Sequence, residues 1–100
     1  MGEKKKGLEG DVLLRKGKAA LDAALNTYNF DTYPLKWAHV QSQLGVVQQE
    51  IGSRAKVDAA IGILNNSVRS FKEAHKVYKR EHLPYEWAKN QSNLGCAYTP

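Results

Sequence analysis

Three histidines, one cysteine and a cluster of basic side chains are the groups in this 100-residue chain whose types and spacing invite a chemical reading. On one helix His75 and His82 would share a face, and His39 is the third imidazole. A tetrahedral metal site needs a full set of thiolate, imidazole or carboxylate ligands at close spacing. Cys96 stands alone and no carboxylate completes the set. No metal and no cofactor are therefore expected. The histidines read as surface and boundary residues, and Cys96 as a small apolar side chain in a packed helix.

Catalytic signals are equally sparse. The chain has no glycine-rich phosphate loop, no nucleophile elbow and no paired carboxylates on an apolar face. The expectation is a protein that is not an enzyme.

The basic cluster is Arg69, Lys72, Lys76, Lys79 and Arg80. At about 100° per residue these fall within an arc of roughly 100° on one helix. Such a stripe can neutralise phosphates or meet an acidic partner. It can equally be a solvated face, with cations near a helix C-terminus favoured by the dipole. No aromatic residue interleaves with the charges, so stacking on bases is not supported and nucleic acid is not the favoured partner.

The elements that carry these groups follow from a duplication. Tyr33-Pro34-Leu35-Lys36-Trp37-Ala38-His39-Val40-Gln41-Ser42-Gln43-Leu44-Gly45 returns as Leu83-Pro84-Tyr85-Glu86-Trp87-Ala88-Lys89-Asn90-Gln91-Ser92-Asn93-Leu94-Gly95, at an offset of 87 − 37 = 50 residues. The same register pairs Ala24 with Ala74, Tyr28 with Tyr78, Leu21 with Phe71 and Leu14 with Leu64. It also pairs Asp31 with Glu81, so these two carboxylates look architectural. Self-similarity at a fixed period of tens of residues marks a repeat architecture.

Apolar spacing makes the repeated unit a helix, a turn holding Pro34 or Pro84, and a second helix. The first helix is expected from an Asp11 N-cap to about Asn29, with Leu14, Leu21, Ala24, Leu25 and Tyr28 on one face. Residues 1–10 read as a flexible basic tail. Pro34 suits the first turn of the second helix, whose stripe is Trp37, Val40/Gln41, Leu44, Val47 and Ile51. Gly52-Ser53 is expected to end it with a left-handed cap. The third helix is expected to run unbroken from Ser53 or Arg54 through Asn65-Asn66 to Glu81, with Val57, Ala60, Leu64, Val68, Phe71, Ala74 and Tyr78 on its buried face. The fourth runs from Pro84 to about Tyr98. Gly17, Gly45 and Gly95 are expected to let helices approach closely. No stretch alternates apolar and polar and no Asn-Gly or Asp-Gly turn occurs, so strands are not expected.

Hydrophobic content of 42% with 25% charged residues places the chain among globular domains rather than disordered ones. No apolar run approaches the length of a membrane span, and the first residues lack the apolar core of a secretory leader. With one cysteine, a reducing, cytoplasmic setting is the default expectation. The net charge of +5 is moderate, and Lys4-Lys5-Lys6 supplies part of it.

Leu94-Gly95-Cys96-Ala97-Tyr98 resembles the Leu-Gly-x-x-Tyr core of the first helix of a tetratricopeptide repeat. Ser67-x-x-x-Phe71-x-x-Ala74 and Gly17-x-x-x-Leu21-x-x-Ala24 are similar to the small-x3-bulky-x2-Ala core of its second helix. The period of 50 is longer than the common one of about 34 and is similar to the longer repeats of bacterial multi-repeat proteins. The resemblance implies an all-α fold of about four helices, in antiparallel hairpins stacked as an α-solenoid. It divides the chain into a partial repeat (11–33), a full repeat (34–82) and a partial repeat (83–100). Such a phase implies either a piece of a longer array or apolar ends that pack on another copy.

In that family the first-type helices line a concave surface that receives peptides or helices. The positions beside the Leu-Gly core and pointing away from it are His39, Ser42, Gln43 and Val46, then Lys89, Ser92, Asn93 and Cys96. Amides there can bond a ligand backbone, and Lys89 and Asn93, one turn apart, can hold a carboxylate. The implied function is a protein–protein interaction scaffold. The alternatives are an acidic or nucleic-acid partner on the basic stripe, and a structural segment that self-associates through its ends.

Overall fold

The computed structural model describes the backbone of residues 2–98 and the side chains of residues 9–95. It holds four helices: α1 (Gly2–Thr27), α2 (Pro34–Arg54), α3 (Val57–Ala74) and α4 (Pro84–Tyr98). No strand occurs among the described residues.

Repeated sequence folds as repeated structure, down to single hydrogen bonds. Tyr28 N–H donates to Ala24 O at 2.8 Å, and Tyr78 N–H to Ala74 O at 2.9 Å. Tyr33 N–H donates to Asn29 O at 2.9 Å, and Leu83 N–H to Lys79 O at 2.7 Å. Trp37 N–H donates to Tyr33 O at 2.8 Å, and Trp87 N–H to Leu83 O at 2.9 Å. Both turns therefore deliver the chain into a proline-led helix in the same way. Proline fits there because its missing N–H would have no intrahelical acceptor. In the first turn Asn29 Oδ1 also accepts from Thr32 N–H at 2.8 Å, a local side-chain bond that favours a turn over continued helix.

Four helix boundaries differ from the sequence reading. Helix α1 begins at Gly2 rather than near Asp11. The stretch Glu3 to Lys6, with Leu8 and Glu9, consists of good helix formers, which outweigh three scattered glycines. Asp11 is then mid-helix and pairs with Arg54 of α2 at 3.3 Å instead of capping. Helix α2 runs past Gly52 to Arg54, and no described glycine has a positive φ. It ends because Ala55 and Lys56 adopt extended backbone, a two-residue hairpin connection. Helix α3 is continuous through Asn65 and Asn66, as expected, but starts at Val57 and stops at Ala74 rather than Glu81. Lys76 N–H and Val77 N–H bond the carbonyls three residues back, which tightens the chain out of α geometry before the turn.

Neighbouring helices are antiparallel. Ascending α2, Ala38 clusters with Ala74, Gly45 faces Phe71 and Gly52 faces Leu64, descending α3. Helix α3 also packs on α4, through Phe71, Val68 and Leu94. At backbone distance α1 approaches only α2, and α2 and α4 touch lightly. The result is elongated, 49 × 29 × 22 Å.

The core is thin and centred on α2 and α3. Phe71, Ala74, Ala38 and Ser67 are fully buried. The predicted α3 stripe is only half right: Phe71 and Ala74 are inside, but Val57 is 78% exposed. Small polar residues take the place of the missing apolar ones. Ser67 Oγ donates to Gly45 O at 2.6 Å and Ser70 Oγ donates to Gln48 Oε1 at 3.0 Å. The short serine side chains let α3 lie close to α2 while their hydroxyls find acceptors across the gap. Of the three glycines expected to permit close approach, Gly45 does so. A Cβ added at Gly17 or at Gly95 would stand in open space.

Candidate functional groove

Helices α1, α2 and α4 enclose a groove of about 710 Å³. Gly17, Ala20 and Leu21 of α1 form one wall. His39, Ser42, Gln43, Val46 and Val47 of α2 form the floor, and Tyr85, Glu86, Lys89, Asn90 and Asn93 of α4 the opposite wall, with Tyr78 between helices. Six of the eight positions singled out from the sequence, His39, Ser42, Gln43, Val46, Lys89 and Asn93, thus line one cavity. Ser92 is exposed and lies outside the lining, and the side chain of Cys96 lies outside the described residues.

The residues differ in what they are free to do. Ser42 is committed to the fold, its Oγ donating to Asn90 Oδ1 at 3.0 Å. Asn90 in turn donates through Nδ2 to Phe71 O at 2.7 Å and is 1% exposed. A carbonyl can only accept, so the amide nitrogen must face Phe71 and the amide oxygen Ser42. One side chain thereby ties α4 to α2 and to α3. Sequence reading missed Asn90, because its register counterpart is Val40 and the duplication suggested an apolar position. Removing it loses both bonds, about 1–3 kcal/mol together, although the Phe71 carbonyl keeps the His75 N–H at 3.2 Å. Asn90→Ala is expected to lower the urea midpoint by the equivalent of about 2 kcal/mol with an unchanged slope, and a midpoint within error of wild type would refute the three-helix tie.

Electrostatics on the α4 wall are mixed. Glu86 stands one turn before Lys89, so the ammonium has a carboxylate near it on the same wall. Burial pushes the Tyr78 hydroxyl above its ordinary pKa, and the Glu86 carboxylate adds to the shift. The folded pKa is the higher one, so the stabilisation is complete below the unfolded value near 10 and is lost as pH rises through the folded value. Tyr78→Phe is expected to reduce the alkaline fall in stability in that range, read from unfolding midpoints at stepped pH.

The basic stripe does not assemble as expected. Only Arg69 and Lys72 lie on α3, because the helix ends at Ala74; Lys76, Lys79 and Arg80 follow in the turn. Lys76 pairs with Glu73 at 2.8 Å and Arg80 lies over the Trp87 ring at 5.6 Å. The five cations thus have no common helical face. His75 and His82 likewise do not share a helix: His75 is the C-cap of α3 and His82 is in the turn. No helix among the described residues is long and apolar enough to cross a membrane.

Comparisons with models of protein families, with curated proteins and with solved structures found no match.

Proposed function

We propose that this chain is a helical-repeat scaffold of tetratricopeptide type, its antiparallel hairpins stacked as a short α-solenoid, that receives a peptide or short helix of a partner protein in the groove between α1, α2 and α4. The observation that supports this most is the convergence of equivalent positions from two copies of the repeat. His39 with Lys89, and Gln43 with Asn93, line one cavity from α2 and α4. Leu21, Val46 and Val47 give the ligand apolar surface to cover. The amides of Gln43 and Asn93 offer both donors and acceptors, which suits a peptide backbone that would otherwise lose its water partners. Lys89, screened on one side by Glu86, selects for a ligand with a carboxylate placed toward Asn93. The division of the basic cluster between α3 and a turn disfavours the alternative of phosphate recognition on one helix face.

Selection from a displayed library of random peptides tests the reading. Peptides enriched on the wild-type chain are expected to lose about tenfold or more in affinity on Lys89→Glu and on the Gln43→Ala/Asn93→Ala pair, as measured by fluorescence titration. Enriched peptides that ignore both changes but respond to Arg69→Glu/Lys72→Glu would move the site to α3 and end the groove reading.

A further inference from the structure

Two of the side chains that line the groove are buried: Asn90, 1% exposed, and Tyr78, 7% exposed. Their polar groups are placed differently. The Asn90 amide is spent on Ser42 and Phe71. The Tyr78 ring packs with Trp37, Ala38 and Ala74, but its hydroxyl makes no hydrogen bond to a described residue. Nor is that hydroxyl sealed in the core. Among the described residues the unpartnered side-chain atom cut off from solvent is His75 Nε2, not the Tyr78 oxygen. The Tyr78 hydroxyl therefore opens on the groove.

Glu86 stands beside it. Its carboxylate is half-buried, lines the same cavity and forms no ion pair with a described cation. It lies close enough to add to the upward shift of the Tyr78 pKa, so the phenol stays protonated and neutral at pH 7. Tyr85, the preceding residue, lines the cavity with a ring that is 73% exposed. These three groups have complementary needs. The carboxylate calls for a cation, the phenolic oxygen can accept an N–H, and the open ring can take a flat charged group on its face. A guanidinium meets all three, because its five N–H donors are held in a plane that also stacks on aromatic rings.

We propose that Tyr78, Tyr85 and Glu86 form an arginine subsite of the groove, so that the partner peptide carries an arginine close to an acidic residue. The inference rests on the groove being a peptide site, and it adds a positive ligand group to the carboxylate selected by Lys89 and Asn93. The point midway between Lys89 and Asn93 lies five positions beyond Glu86, roughly 7 Å along α4 at about 1.5 Å per residue. Side chains two positions apart on one side of an extended peptide are separated by about the same distance. The arginine and the acidic residue are thus two positions apart. The net charge of +5 and the Lys89 ammonium on the same wall disfavour a ligand that is basic throughout.

The test uses peptides enriched on the wild-type chain from a displayed random library, each paired with a copy in which citrulline, neutral and of nearly the same shape, replaces arginine. Affinities are read by fluorescence titration on wild type, Glu86→Gln and Tyr78→Phe. Enriched peptides are expected to share an arginine two positions from an aspartate or glutamate. The citrulline copy is expected to bind wild type about tenfold more weakly, and Glu86→Gln to abolish most of that difference. Tyr78→Phe removes a hydroxyl that no described residue bonds, so it is expected to weaken the arginine peptide while helical circular dichroism stays unchanged. Two results would overturn the subsite and leave the groove reading standing, provided the peptides respond to the Gln43→Ala/Asn93→Ala pair. One is a set of peptides with no shared arginine. The other is a citrulline copy that loses as much affinity on Glu86→Gln as on wild type. Peptides indifferent to the Gln43→Ala/Asn93→Ala pair would overturn both.

Discussion

Phe71→Ala is expected to remove about 3–5 kcal/mol, most of the stability a domain of this size has, and to lower the melting temperature by roughly 15–30 °C. The ring is fully buried, faces Gly45 on α2 and packs with Leu94 of α4. Its own carbonyl takes the Asn90 bond that holds α4. Truncation therefore opens a cavity where α2, α3 and α4 converge, and a glycine on the facing helix offers no side chain to fill it. Collapse to fill the space would require α2 and α3 to close further, yet Ser67 and Gly45 are already within 2.6 Å at the hydrogen bond. Urea unfolding followed by the fluorescence of Trp37 and Trp87 reads the loss. Val57→Ala, on the same helix, is expected to shift stability by no more than about 0.5 kcal/mol, because Val57 is 78% exposed. A loss below about 1 kcal/mol for Phe71→Ala would mean that the helices are not locked through this ring.

That contrast marks where the sequence was legible. Period and turn chemistry were readable because they are local. The offset of 50 placed both proline-led helices, and the backbone bonds of the two turns repeat in the same register. The stripe of α3 was readable only where tertiary contact agreed with helical phase. Phase puts Val57 and Phe71 on one face, but α2 stops at Arg54 and the chain turns through Ala55 and Lys56, so the first turn of α3 has little to pack against. The same logic explains the basic cluster. An arc computed for an unbroken helix dissolves once the last turn tightens after Ala74 and the chain leaves helical geometry.

The groove was legible in part for a related reason. Of its α2 and α4 residues, the repeat resemblance found His39, Ser42, Gln43, Val46, Lys89 and Asn93, but not Val47, Tyr85, Glu86 or Asn90. The α1 wall comes from how three helices sit around one another, which no spacing encodes. Asn90 shows the limit most clearly. Its importance rests on a carbonyl of α3 and a hydroxyl of α2, both distant in sequence, and its duplicate at Val40 has neither task. The two copies share the turn and helix pattern, and Asn90 against Val40 is a place where they differ and the contacts differ with them.

The two glycines of the Leu-Gly pairs are expected to respond to the same substitution with opposite sign. Glutamine in place of glycine gains about 1 kcal/mol in helix propensity at an unencumbered site. At Gly95 an added Cβ would stand in open space, so Gly95→Gln is expected to stabilise the dilute chain by up to about that amount. At Gly45 the Cβ alone would come within 2.5 Å of one Phe71 ring carbon and 2.7 Å of two others. The ring is fully buried and has no open direction in which to swing. Overpacking of this kind costs about 1–3 kcal/mol for modest insertions, and a whole glutamine side chain forced between pinned helices sits at or above the upper end. Gly45→Gln is therefore expected to lose about 3 kcal/mol even after the propensity gain. If the clash with the ring is the cause, trimming the ring must relieve it. Gly45→Ala combined with Phe71→Leu is expected to be more stable than the sum of the two single losses, by about 1 kcal/mol in a double-mutant cycle. Strict additivity would place the cost of Gly45 elsewhere than against Phe71. Equal effects of glutamine at the two glycines would mean that α4 already carries a helix on its outer face, as α2 does.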